Sequence, residues 1–252
     1  MTEPKIAVII HCHDLSILHY TIFPYLQNLT ERFDLYLNFS EIVNKNAAEI
    51  KKYKKTLVAT NPNLTIFFTT SDNRGTDNGG FIASTNRAFR EGKQGQYKYV
   101  CKIHTKRSGN DFLSSVKATR SEWTNGLLKT LLGNENQVRK ILKAFDTWEG
   151  LGFVSSSKFY TDRFNPRYNE KNYFFFKNKL NLRKEVSFPM NSTFLAGTMF
   201  WIRGEVWDFF MNKDLSINDF EIGNASDGLR THAFERIYDA AVKHLGYGVY
   251  VI

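Results

Sequence analysis

Hydrophobic and polar positions switch period repeatedly through the amino-terminal half of this chain. Residues 6–10 form an unbroken apolar run, the pattern of a strand buried on both faces. Residues 15–29 instead place Leu18, Ile22, Tyr25, Leu26 and Leu29 at helical spacing, with Pro24 predicting a kink or restart. FDLYLNFS reads as a second strand, residues 41–61 as a basic helix containing KKYKK, and LTIFFTT as a third strand. Strand, helix, strand, helix, strand is the order that builds a parallel, Rossmann-like sheet.

The pattern breaks at TTSDNRGTDNGGFIASTNRAF. Gly75, Gly79 and Gly80 permit a turn with positive φ. Phe81, Thr85, Ala88 and Phe89 then predict a helix, so the N–H groups of Gly79 and Gly80 are expected to open it and face an anion. Asp72, Arg74 and Asp77 rim the loop, and the two carboxylates suit ribose hydroxyls or a nucleobase N–H better than bare phosphate. The strand that follows, YVCKIHTK, sends Lys102, His104 and Lys106 to one side and Cys101, Ile103 and Thr105 to the other. A nucleotide is the ligand expected from these groups. His11, His13 and Asp14 cluster at the carboxyl end of the first strand, where open α/β sheets gather ligands; a turn with exposed imidazoles is the plainer alternative.

Residues 114–148 read as a long helical region and LGFVSSS as a strand. Residues 158–189 interleave aromatic and basic side chains, which suits sugar stacking, single-stranded nucleic acid, or an insertion with its own small core. FLAGTMFWIRGEVWDFF predicts a buried strand entering a helix, with Gly197 permitting close approach of a ligand or another backbone. In the closing stretch Ser226 or Asp227 can cap a helix whose stripe is Leu229, Ala233, Ile237 and Ala240. Asp227, Thr231 and Glu235 share one face of it, and Gly228, His232 and Arg236 another.

Composition narrows the partners. The 252 residues are 42% apolar and carry 34 Lys and Arg against 25 Asp and Glu, a formal charge of +9. An anionic partner follows: nucleotide phosphates, nucleic acid or an acidic membrane surface. No apolar run is long enough to span a bilayer and MTEPKIAVII has no signal-peptide pattern, so a cytoplasmic protein is expected, open to peripheral attachment at the inner face of the membrane. Cys12 and Cys101 read as buried free thiols; zinc at His11, Cys12 and His13 lacks a second ligand pair.

The stretches VIIHCHD, RGTDNGGF, YVCKIHTKRS, FLAGTMFWIR and DGLRTHAFER, in this order and spanning nearly the whole chain, resemble the rhamnan-synthesis protein F family and, more distantly, the GT-A nucleotide-sugar glycosyltransferases. The resemblance implies one GT-A-like α/β domain over residues 1–252, a mostly parallel sheet flanked by helices, with a donor-binding half about 1–110 and an acceptor-side half about 111–252. It implies transfer of rhamnose or another hexose, with inversion, from a nucleoside diphosphate to an oligosaccharide or lipid-linked glycan at the cell surface. Asp227 is the expected base, with Glu235 and His232 as further catalytic candidates. The donor would meet His11, His13, Asp72, Arg74, Gly75, Asp77 and Gly79, its phosphates Lys102, His104 and Lys106, and the acceptor Gly197 and Trp201. Where GT-A enzymes end a strand in Asp-x-Asp, this chain has KIHTK. Two lysines and a histidine can supply the missing positive charge, so no cofactor is expected; Mg²⁺ or Mn²⁺ on His104, His232 or an aspartate is the alternative. The rival reading is a non-catalytic basic module for nucleic acid or anionic glycan, and a third is transfer of a polyol phosphate. The Gly and Asp cluster, without purpose on a phosphate-tracking surface, argues against nucleic acid.

Overall fold

The computed structural model describes residues 5–45, 47–61, 64–106, 109–113, 116–161, 169–183, 194–223 and 228–252. Its first part runs β1 (Ile6–Cys12), α1 (Leu15–Ile17), a π turn (Leu18–Ile22), α2 (Phe23–Leu26), β2 (Phe33–Ser40), α3 (Glu41–Asn44), α4 (Ala47–Thr60), β3 (Thr65–Ser71), α5 (Thr76–Arg90) and β4 (Tyr99–His104). The hairpin β5 (Phe112–Leu113) and β6 (Ala118–Thr119) leads to α6 (Arg120–Leu132), α7 (Glu135–Thr147), β7 (Leu151–Ser155) and β8 (Tyr160–Thr161). The remainder is α8 (Glu170–Lys179), β9 (Phe194–Leu195), β10 (Phe200–Arg203), α9 (Gly204–Met211), α10 (Arg230–His244) and β11 (Gly248–Val251).

Seven strands form one sheet in the order β11-β7-β10-β4-β1-β2-β3. β2, β1 and β4 run parallel in succession, as do β2 with β3 and β7 with β11; β10 alone runs against its neighbours β4 and β7. The result is the mostly parallel, Rossmann-like α/β sheet expected from the alternating pattern. β1 is buried along its whole length and β2 from its second residue on, in keeping with their near-continuous apolar runs.

Local signals set the helix ends. Asp14 Oδ1 accepts the N–H groups of Ser16 and Ile17, and Thr119 and Glu122 close a capping box at the start of α6. The helical region expected over 114–148 is two helices, because Gly133 and Asn134 intervene and Asn134 Oδ1 caps α7 at Gln137 N. α7 then buries Val138, Ile141, Leu142 and Phe145, an i, i+3, i+4, i+7 stripe. Within the aromatic and basic stretch, α8 buries Tyr173 and Phe176, and the Phe176 ring lies against Phe220 and Phe234. Those aromatics are core rather than a stacking surface. Among the described residues no helix is long and apolar enough to cross a membrane.

Candidate functional site

Register places a polar row across the carboxyl ends of four parallel strands. His104 of β4 is the partner of His11 in β1, His11 of Asn38 in β2, and Asn38 of Thr69 in β3. His11 Nδ1 lies 2.7 Å from Asn38 Oδ1, Asn38 Nδ2 donates to Thr69 Oγ at 2.9 Å, and Ser71 Oγ donates to Asn38 Oδ1 at 2.9 Å. α5 covers this row at Gly80, where a methyl group would lie 2.3 Å from His11 Nδ1 and 2.8 Å from Asn38 Oδ1. The glycine therefore serves close packing of helix on sheet. Burial drives the His11 imidazole down to about 4 against the opposing bond from Asn38, so it is neutral at pH 7. The expectation that His11 touches a donor is corrected: it is walled in beneath α5.

α5 begins at Thr76, earlier than the glycine spacing implies, so Gly79 and Gly80 lie within the helix and Gly79 N donates to Gly75 O at 3.0 Å. Neither presents a helix-opening N–H to an anion, which corrects that expectation. Gly75 does need its freedom: φ is +67°, and a Cβ there would lie 2.6 Å from the Phe220 ring.

Asp77, in the first turn of α5, is tied inward. Its Oδ2 accepts from Lys102 Nζ and from Thr198 Oγ, while Oδ1 accepts from Thr76 Oγ at 3.3 Å. Lys102 is 1% exposed and also donates to Thr198 O at 2.9 Å. Burial alone would raise the Asp77 carboxyl, but the Lys102 charge, His104 and the two hydrogen bonds at Oδ2 outweigh it and hold the group well below the carboxylate range. Lys102 is lowered by burial, with Asp77 opposing. Asp77 and Lys102, expected on ribose and phosphate, instead neutralise one another inside the protein. Thr76 and Thr198 flank the pair at φ of 50° and 45°, backbone that β-branched residues rarely adopt, so the tie holds local strain.

The other end of the strand face is different. His104 is 6% exposed; its Nδ1 has no hydrogen-bond partner and stands 3.5 Å from Asp77 Oδ2. Burial, with Lys106 and Lys102 adding to it, holds His104 neutral despite Asp77. Lys106 Nζ sits 3.6 Å from the centre of the Trp123 ring, a cation–π contact. Burial lowers Lys106 to about 8, with Asp77 and Glu235 opposing. Glu235, half-buried on α10, has no hydrogen bond or ion pair among the described residues. Burial and the Asp77 charge push its carboxyl up to about 8 against the pull of Arg236, Lys106 and Lys102. Lys106 and Glu235 thus both titrate just above neutrality, the property expected of a group that moves a proton.

The remaining candidates are scattered around this centre. His13 is half-buried at the strand mouth, with its N–H and Nδ1 each 2.9 Å from Thr105 Oγ. Asp72 is exposed, and Arg74 donates to Phe220 O at 2.9 Å. His232 Nδ1 accepts Leu229 N at 3.2 Å and so caps α10. Gly197, at φ +97°, is packed against Leu127 and Trp123 of α6, the close approach of another element rather than of a ligand. Trp201 is fully buried and donates to Leu131 O at 3.2 Å; its place as an acceptor contact is corrected, since no face of the ring is open. Ser226 and Asp227 lie outside the described residues.

Sequence reasoning missed Asn38, Thr198, Asn78 and Tyr238. Tyr238 Oη donates to Asn78 Oδ1 at 2.7 Å and Asn78 Nδ2 to Thr231 Oγ at 3.0 Å, which locks α5 to α10. A polar Asn inside the apolar FDLYLNFS was the available signal for Asn38. Among the described residues no three His, Cys, Asp or Glu side chains converge, and the Asp77 oxygen nearest His104 already faces an ammonium group. A separate groove of about 760 Å³, walled by Phe23, Leu26, Phe33, Leu35, Leu57 and Leu64, contains none of the candidate residues.

Comparison with known proteins agrees with the order of these motifs. The profile of the family described as rhamnan synthesis protein F matches residues 1–247. The uncharacterised protein WxcX of Xanthomonas campestris pv. campestris, in two strains, is 30% identical over 183 residues. That match covers 71% of this chain and 24% of WxcX, so the chain spans at most about a quarter of the length of these relatives through the matched stretch. With a match along almost its entire length, the chain belongs to the family described as rhamnan synthesis protein F.

Proposed function

We propose that the chain is an inverting glycosyltransferase that moves a sugar, rhamnose or another hexose, from a nucleoside diphosphate to a hydroxyl of a growing cell-surface polysaccharide. One observation carries this reading: Glu235 on α10 is a half-buried carboxyl with no hydrogen bond or ion pair among the described residues, and burial and the Asp77 charge push it up to about 8 against the pull of Lys106. In the reaction the acceptor O–H gives its proton to the Glu235 carboxylate as its oxygen bonds to the anomeric carbon. The bond from that carbon to the diphosphate breaks, and the diphosphate leaves with the electron pair. Lys106 supplies positive charge to the departing oxygens, and an anion beside it raises its pKa and keeps it protonated. The neutral His104, with an unpartnered Nδ1, offers a further polar contact. His13, Asp72 and Arg74 stand at the mouth for the nucleotide. The donor set favours transfer without a metal.

Glu235→Gln tests the base. The expected result is a loss of turnover of about a hundredfold or more with donor affinity and circular dichroism retained. In the wild type, kcat/KM should pass through a maximum near pH 8, rising as the Glu235 carboxyl ionises and falling as Lys106 loses its proton. Unchanged turnover in Glu235→Gln together with collapse in Asp227→Asn would move the base to Asp227. A thermal-shift panel of nucleoside diphosphates and their sugars, with and without EDTA, tests donor and metal together, because a ligand of the native state raises its melting temperature. Absence of any shift, or binding only with Mn²⁺, would overturn the corresponding part.

A further inference from the structure

We infer that α3 and α4, the connection from β2 to β3, form the face by which this protein docks on a bilayer surface of anionic phospholipid. α4 rests on the sheet through Ile50 and Leu57, which are buried. At 3.6 residues per turn, Lys51, Lys52 and Lys55 fall on the opposite side, and all three are exposed, as is Lys45 before the helix. Lys54, one position away from Lys55, turns inward over the Phe39 and Phe68 rings. None of the four outward lysines has an ion-pair partner among the described residues, and the only carboxylate of α4 is Glu49 in its first turn. Some cations elsewhere are neutralised locally, Lys98 by Asp146, Arg139 by Glu135 and Lys243 by Asp239. The four outward lysines fall within eleven positions, against the carboxylates Glu41 and Glu49, and so concentrate positive charge on one face.

Its apolar neighbours decide the partner. Ile42 is 57% exposed and Val58 48% exposed, at either end of the lysine face. No exposed aromatic ring accompanies them, so bases have nothing to stack on, whereas headgroups with an acyl boundary behind them meet both features. α3 starts at the carboxyl end of β2, the end of the sheet where Lys106 and Glu235 stand. The inference does not depend on the transfer chemistry, since binding is measured directly.

The experiment is co-sedimentation with phosphatidylcholine vesicles with and without phosphatidylglycerol, at low and high salt. The wild type should bind only the anionic vesicles and detach as salt rises. Each lysine near such a surface contributes about fivefold in affinity, so Lys51→Glu/Lys52→Glu/Lys55→Glu, which removes three such charges and adds three opposing ones, should weaken binding by at least about a hundredfold, while leaving circular dichroism and turnover on a soluble acceptor unchanged. Ile42→Ser/Val58→Ser should weaken it less. The control is Lys129→Glu/Lys140→Glu/Lys143→Glu, the same charge change on exposed positions of α6 and α7. Retention of binding in the control supports the docking face. Equal loss in both triple variants, binding to neutral vesicles, no binding at low salt, or loss of single-stranded RNA binding in place of vesicle binding would each overturn it.

Discussion

Lys102 and Lys106 belong to one run of alternating residues and face the same side of the sheet, yet they do opposite work. Lys102 is enclosed, with a carboxylate, a carbonyl and the Phe200 and Tyr238 rings around it. Lys106, just past the end of the strand, has one aromatic face beneath it and no ion pair among the described residues. The first is a clamp holding α5, β4 and the turn before β10 together. The second has no such answer to its charge among the described residues. Four positions of chain separate the two cations, and depth decides whether the charge is already answered.

The sharpest way to break the comparison is Lys102→Met. It strands the Asp77 carboxylate in the interior, and removing one partner of a buried pair costs about 3–5 kcal/mol; urea unfolding should show it, and a variant as stable as wild type would deny the clamp. Next is acid. His11 has a folded pKa of about 4, below its unfolded 6.5. The unfolded chain therefore takes up a proton between those values that the native state refuses. Stability should fall as pH drops through that window, by roughly 3 kcal/mol in full. Glu235 pulls the other way, since its pKa is raised and its contribution is lost as pH rises through about 8. Unfolding of Glu235→Gln between pH 7 and 4 reads His11 together with His104, which burial also holds neutral, and a flat profile there would contradict their burial. Lys106→Met comes third: melting should barely move, while turnover falls about a hundredfold, the usual loss for one preorganised charge. Thr105→Val is the smallest, about 1 kcal/mol of stability for the hydrogen bonds to His13, with turnover nearly intact.

The period of the apolar positions revealed the sheet and the order of its early strands because residues buried on both faces leave a nearly continuous signature. β11 was not foreseen: its four residues are half-buried or exposed and its pairing with β7 is remote in sequence. In the site, alternation along β4 covers Lys102 and His104, with Lys106 just past the strand's end, and alternation reports direction and not depth. Nothing in KIHTK says that the first lysine meets Asp77. The glycines misled for a related reason, since Gly80 answers a contact with His11 and Asn38 that lies far away in the sequence. Glu235 was legible as a residue on one face of a helix, while the absence of a hydrogen bond or ion pair to it among the described residues needed coordinates.

The single reversed strand has a consequence for how the protein is made. β4 is an interior strand only because β10, nearly a hundred positions later, pairs along one of its edges. Until that segment has left the ribosome, the early β-α-β unit carries an open row of backbone donors and acceptors on β4, a template for pairing with other chains. Closing the sheet awaits a contact of long sequence separation, a slow step in folding. The part of the chain before β10 is thus unsuited to independent existence, and any shorter product ending before β10 should be prone to aggregate.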